Sequence, residues 1–351
     1  MERKFLFLVL ICSLVLSIGI KKTSAMSDQE LRIRALEEKI EALQPKLTNG
    51  KSFNVHGVKK QGTKKPYYYK KGLHFESEDG NFSTNLQWRA QMRFSNPGDG
   101  DPITTADFRS DPKTSNFELR RVRMKIGGRG YKPWVKYYIE IDLQPSRTFT
   151  SSSSNASARV IDWRLDVQPY EWFGFRVGQW KINYNRERVD SSGRQQFVER
   201  SIVNRIFTVD RQVGVMIKGR LNKGTVADMR YYAGIFNGEG RSINNSGKDM
   251  MKMVRFQWNP LGRDLKWRQS DVSRHEKPTL SIAAAWVGNR GNCTRWSSSG
   301  CGSLDGFAVG TNENQFSINQ VVAEVAYKHQ GLSLQSEYHW KNVDDDQTGL
   351  D

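Results

Sequence analysis

Arg121, Arg123 and Lys125 occupy every second position of the stretch Phe117 to Gln144, with Arg120 directly before them. In an extended chain, side chains two apart share a face, so these three form a row of cations. A second cationic group, Lys181, Arg186, Arg188, Arg194, Arg200 and Arg205, falls within Gln179–Arg211, where acids are few. A guanidinium binds an oxyanion through planar, paired hydrogen bonds, whereas an ammonium is a compact charge that releases its ligand more readily. A passage needs several moderate contacts of this kind rather than one deep trap. Asp142 and Asp162 share the parity of the cations, so they would hold arginines in place and soften the well. Catalytic chemistry has little support. The only histidines are His56, His74, His275, His329 and His339, and none accompanies a serine or paired-aspartate motif. The chain carries no metal-ligand cluster and no glycine-rich phosphate loop, so neither an enzyme nor a cofactor or metal is expected.

Strands must position these residues. Val122, Met124 and Ile126 alternate with the cations; after Gly-Arg-Gly-Tyr-Lys-Pro, Val135, Tyr137, Ile139 and Ile141 alternate with Lys136, Tyr138, Glu140 and Asp142. Each arm is about ten residues long, enough for a tilted strand to cross a bilayer. A soluble sandwich would show the same alternation with its polar face wet. Repetition favours the membrane reading. Strand patterns recur at Leu73–Ser77, Ser83–Phe94, Ile161–Val167, Phe173–Val177, Val213–Leu221, Met229–Phe236, Met251–Trp258, Thr279–Val287, Ser317–Tyr327 and Leu332–Trp340. Short turns alternate with long polar loops between them, the asymmetry of outer-membrane barrels. Facing lipid at mid-bilayer, each of Arg121, Arg123 and Lys125 would cost about 2–4 kcal/mol. The apolar partners must therefore face lipid and the cations a lumen. Arg120 has lipid-side parity, which puts it at the rim or at a bulge. Gln179–Arg211 is expected to fold into the lumen, with Lys181 as first constriction contact and Arg121 as second.

The composition agrees. A hydrophobic fraction of 37% and a mean hydropathy of −0.66 leave no room for a bundle of transmembrane helices. They suit strands of which only alternate residues meet lipid. Residues 1–25 read as a signal peptide, with Arg3 and Lys4, an apolar run from Phe5 to Ile20, and Thr23-Ser24-Ala25. Removing them takes the net charge from +17 to +14, a balance that calls for acidic partners. Residues 26–47 predict a short coiled-coil helix through Ile33, Leu36, Ile40, Leu43 and Leu47, an equal alternative being an amphipathic helix packed on a domain. Residues 48–72 form a basic linker rich in lysine, better explained as a solvated segment near anionic lipid than as a nucleic-acid binder. Residues 73–351 would be the barrel. Cys293 and Cys301, flanked by Gly and Ser, predict a disulfide in an external loop.

Several segments, taken in order, resemble the phosphate-selective porin O and P family. They are Phe117-Glu118-Leu119-Arg120-Arg121-Val122-Arg123, Glu140-Ile141-Asp142, Ile161-Asp162-Trp163, Val177-Gly178-Gln179-Trp180-Lys181, Ser191-Ser192, Phe197-Val198-Glu199-Arg200-Ser201, Arg211-Gln212-Val213-Gly214-Val215 and Gly234-Ile235-Phe236-Asn237-Gly238. The likeness runs across residues 31–260 and thins past 290 to strand periodicity. It implies an all-β transmembrane antiparallel barrel of sixteen strands in the outer membrane, a homotrimer that passes small anions such as phosphate or polyphosphate. About twelve strands are legible, and the terminal strand ending in an aromatic residue is missing, so a fragment is expected. The pore set expected is Arg120, Arg121, Arg123, Lys125, Lys181, Arg186, Arg188, Arg200, Asp142 and Asp162. A general, weakly selective diffusion porin is the alternative, and a secreted basic anion-binding β protein a more distant one.

Overall fold

The computed structural model describes residues 66–96, 115–143, 158–245, 247–297, 300–307 and 314–346. The chain divides into two compact units, Met1–Thr63 and Lys64–Asp351, and all the described residues belong to the second. The expected signal peptide, coiled-coil helix and most of the linker lie outside the described residues.

Residues with period-two alternation do form strands. The strands are β1 (Tyr67–Tyr69), β2 (Leu73–Glu76), β3 (Ser83–Ser95), β4 (Asn116–Gly130), β5 (Lys132–Asp142), β6 (Arg159–Val167), β7 (Gly174–Lys181) and β8 (Arg211–Leu221). They continue as β9 (Met229–Phe236), β10 (Met251–Trp258), β11 (Thr279–Gly291), β12 (Arg295–Ser297), β13 (Gly300–Gly302), β14 (Phe316–His329) and β15 (Leu332–Asp345). Thirteen of them make one antiparallel sheet in chain order, with only the small β12–β13 hairpin set apart. Tyr67–Tyr69, expected within the linker, instead pairs with Leu73–Phe75. The β4–β5 hairpin also turns more tightly than expected. β4 runs on through Gly127 and Gly128, and the reversal centres on Tyr131. Glycine is required at 128, because a Cβ there would lie 1.8 Å from the Ser83 carbonyl oxygen.

The sheet is inside-out relative to a soluble protein. Along β10, Met251, Met253, Arg255 and Gln257 are buried, while Phe256 and Trp258 are exposed. Along β14 the even positions, from Phe316 through Gln320 and Glu324 to Lys328, are buried and Val321 and Val325 face out. Trp88 and Tyr338 expose 66% and 74% of their surface on the outer side. Water would penalise such an outer face; a bilayer requires it.

The sheet also curls strongly. β3 and β15 stand ten places apart in the strand order, about 48 Å if the sheet were flat. Yet the Glu187 amide donates to Glu337 on β15, and Ser192, five residues on, bonds Arg89 on β3. Five residues span at most about 18 Å. The wall therefore wraps around the segment between β7 and β8. Among the described residues β15 pairs only with β14 and β1 only with β2, so no seam closes between them.

Among the described residues, three connections in particular pack against the inner face. One is residues 182–210 with two short helices, α1 (Arg186–Val189) and α2 (Val203–Phe207). Another is the β11–β14 connection, clasped by a Cys293–Cys301 disulfide with Cα atoms 5.4 Å apart. It lies on the end of the long connections, and Cys293 and Trp296 fold inward, fully buried in a cluster with Phe236, Phe316 and Ile318 of the inner wall. Trp296 needs this burial and donates its indole N–H to the Gly238 carbonyl at 2.6 Å. The third is residues 259–278, on the end where all the other turns are short.

Candidate functional site

The first cation row lies on the inner wall, as period two requires. β3 and β4 carry it together, since Arg89 opposes Arg123 and Gln91 opposes Arg121. Pairing then jumps to Met92 with Leu119, leaving Arg120 as the extra residue of a β-bulge. A bulge places two successive side chains on one face. Arg120 and Arg121 consequently both turn inward and both reach Glu199, with Arg120 Nε 2.6 Å and Arg121 Nη2 3.1 Å from its carboxylate. Arg93 also approaches Glu199, at 3.6 Å, and pairs with Glu118 at 2.6 Å.

These groups border a cavity of about 300 Å³ lined by Gln91, Arg93, Arg120, Arg121, Ser192 and Gln195, among others. Arg89 stands beside it, with Nη2 donating to Ser192 Oγ at 2.8 Å. Its Nε is buried without a hydrogen-bond partner. Three guanidinium groups therefore converge on Glu199 beside an open space, and that of Arg89 is held there by the Ser191 and Ser192 hydroxyls. Such a site retains positive charge and unfilled donors, the two properties an oxyanion needs. Burial raises the Glu199 carboxyl, but the hydrogen bond from Arg120 and the charge of Arg121 outweigh it and hold it ionised below its ordinary value.

The other expected residues are placed differently. Arg123 pairs with Glu140 at 3.0 Å and lies 3.8 Å from Asp142, and Lys125 is 3.9 Å from Glu140. Asp162 binds Arg211 at 2.8 Å. Lys181, the foremost constriction candidate by sequence, turns its Nζ to the Asp190 carbonyl at 3.2 Å. Arg188 makes a two-pronged pair with Asp210. Burial raises the Asp210 carboxyl, yet Arg188 and Arg211 bring it below the ordinary carboxylate range. Arg200 donates to the Glu187 and Asp190 carbonyls at 3.1 and 2.7 Å. The arginines between β7 and β8 are thus largely pegs that hold their own segment, bonded to backbone carbonyls and to Asp210 at its end. Their scarcity of local acids was no sign of free charge.

Arg186 goes to the opposite wall. Its amide donates to Glu324 at 2.7 Å and its guanidinium to the Lys266 and Leu265 carbonyls at 2.8 and 3.2 Å. Burial lowers its guanidinium to about 10, still protonated at neutral pH. Arg255 reaches Glu324 at 2.6 Å and the Tyr184 carbonyl at 2.8 Å. The site therefore brings together Arg120 and Arg121 with residues 192–199, and separates them from Arg186, Arg188 and Lys181. Arg89 and Arg93 belong to it, and Arg255 to the group around Arg186, without having been chosen from the sequence. Parity on β3 could have found the first two, because both share the inner face with Gln87 and Gln91. On β10, Arg255 shares its face with two methionines, which hid it.

With this geometry, the comparisons are specific. The family model for phosphate-selective porin O and P matches residues 95–351. Comparison with curated proteins gave no match. The match covers nearly three quarters of the chain and includes both cation groups and every wall strand from β4 onward. The chain belongs to the phosphate-selective porin O and P family, and it is an outer-membrane porin rather than an enzyme.

Proposed function

We propose that the lumen conducts small anions, with phosphate and polyphosphate as the favoured class, past the cavity bordered by Arg93, Arg120 and Arg121. The observation that carries this reading is the convergence of three guanidinium groups, those of Arg93, Arg120 and Arg121, on Glu199 beside that cavity. Oxygens of a phosphate fit the paired N–H groups, and Glu199 keeps the well shallow enough for release. The family name supports the same substrate class. Arg123, Lys125, Arg188 and Arg200 contribute field and scaffold, and Asp142 and Asp162 orient their neighbours. One observation favours a second reading, a general diffusion porin: Arg123, Arg188 and Arg211 each face carboxylates that cancel their charge. The decisive measurement is the reversal potential of single channels in asymmetric KCl, followed by phosphate titration of the chloride current. Arg121→Glu should lower the anion preference and weaken phosphate inhibition by about tenfold, while Lys64→Glu in the linker does neither. Equal, small effects from both substitutions would leave only the general porin.

The finer architecture is inferred on the same terms. The curl of the sheet around residues 187–192 supports a closed barrel, for which sixteen strands and a homotrimer are the family expectation. Residues 1–25 would be a signal peptide, 26–47 a short coiled-coil helix and 48–72 a basic linker. Unheated protein should migrate on a detergent gel faster than boiled protein, as closed barrels do.

A further inference from the structure

Residues 259–278 join β10 to β11 on the end of the sheet where the other described turns are short, yet they rise into the lumen. Leu265 is buried, Lys328 of the inner wall donates to the Arg268 carbonyl, and Ser333 donates to that of Gln269. The segment meets residues 182–210 coming from the other end. The Gln269 amide donates to Asp190 and the Gln196 amide to Gln269 Oε1, each at 3.0 Å. Between these contacts lies Trp267, whose ring has Arg186 Cζ 5.4 Å from its centre and Arg255 Cζ 4.8 Å from it.

We propose that Trp267 is a positioning residue that holds Arg186 in the lumen as a cation whose charge is not cancelled, and thereby helps to set the anion preference. The proposal rests on the anion-conducting reading above. No carboxylate of the described residues lies within ion-pair distance of the Arg186 guanidinium; its partners are two carbonyls and the indole face. Of the acids whose charge reaches it, Glu324 binds the Arg186 amide and is engaged by the Arg255 guanidinium. Asp264 is paired with Arg230, and Glu337 is bonded by Asn185, the Glu187 amide and His339. A carboxylate partner would fix a guanidinium but remove its field. Carbonyl oxygens and an aromatic face fix it and leave the unit charge in place. The contrast with Arg188, matched by Asp210, lies only two residues away.

The test uses the full chain in planar bilayers under a KCl gradient. Trp267→Leu should lower the chloride-to-potassium permeability ratio by about twofold or more, and Arg186→Met at least as far. Trp267→Phe, which keeps an aromatic face, should retain most of the ratio. If Trp267 is only a packing residue, Trp267→Leu will conduct with an unchanged ratio, and that result overturns the proposal. So would equal losses in the Leu and Phe variants. Should Trp267→Leu give no folded barrel, Arg186→Met decides alone, and an unchanged ratio there also overturns it. A wild-type channel without anion preference would sink the anion reading and this proposal with it. A selective wild type with unchanged variants sinks the proposal alone.

Discussion

Glu199 governs how much of the charge on Arg93, Arg120 and Arg121 a passing anion meets. One carboxylate lies within 2.6–3.6 Å of three guanidinium groups, and it is the loop's contribution to a wall that would otherwise bind too tightly. Replacing it by Gln keeps the shape and adds one uncancelled charge. A unit charge at such range in a partly wet site is worth up to a few kcal/mol, and solvent leaves about one of them. Glu199→Gln is therefore expected to lower the phosphate concentration for half-block of chloride current by roughly tenfold, while slowing phosphate transit. An unchanged block would mean that the cavity is not on the path. Much of this site was legible by parity. Two-residue periodicity put Arg121, Arg123 and Lys125 inside and marked Arg120 as an exception that had to sit at the rim or at a bulge. Arg89 and Arg93 went unchosen because their strand was read for its alternation alone. The fate of Lys181 and Arg188 was not legible, since their partners come from a bend in their own segment and from Asp210 some twenty residues later.

At the scale of elements, strands were readable and connections only in part. Gln179–Arg211 was expected inside and the wall wraps around it, while two other inward connections carried no signal. A strand's pattern is set by its two environments, one lipid and one polar, and each residue reports its own side. A connection folding inward is stabilised by distant residues that carry no local signal. The disulfide segment and residues 259–278 are the two cases. The second is anchored at its far end by Asp271, which accepts from the amides of His275 and Gly331 at 3.0 Å and bonds the His275 ring. Burial raises this carboxyl, but the His275 hydrogen bond and the two amides win and hold it at about 2. An unfolded aspartate titrates near about 3.9. Because the folded value is the lower one, the anchor stabilises fully above about pH 4 and is lost as pH falls through about 2. Amide exchange in residues 259–278, corrected for intrinsic rates, should accelerate between those limits and not between pH 7 and 5. Asp271→Asn should abolish the transition. Protection that stays constant down to pH 2 would show that the segment does not depend on this carboxylate.

The whole molecule is an inside-out sheet whose interior is unevenly filled. Facing β9 to β11 and β14, the inner wall meets a dry cluster in which Trp180, Tyr184, Phe236, Met253, Val287 and Trp296 have no appreciable exposure. Facing β3 and β4, the wall meets the arginine cavity. Apolar packing at crystal-like density admits neither water nor ions. A larger open space of about 810 Å³, lined by Glu199, Arg200, Ser333 and Glu337 among others, lies against β15. Anions are therefore expected to travel off-centre, past the side of the dry cluster that carries Glu199 and these cavities, together with whatever field Arg186 projects from the covered wall. The family match carries the porin architecture from residue 95 to the end of the chain, including the region past 290 where sequence likeness had thinned to periodicity. It leaves the route inside the lumen to be measured. Single cysteines can trace it, because the native Cys293 and Cys301 are joined to each other and Cys12 falls within the proposed signal peptide. Gln91→Cys lies on the cavity and should react with a charged, water-borne thiol reagent, cutting single-channel current by half or more, roughly the share one bulky adduct takes of a narrow passage. Ala285→Cys lies on the inner face of β11 within the dry cluster, where a small thiol fits, and it should remain unmodified while the channel conducts normally. Modification of Ala285→Cys at the rate of Gln91→Cys would place water on both sides and put the path back on the axis.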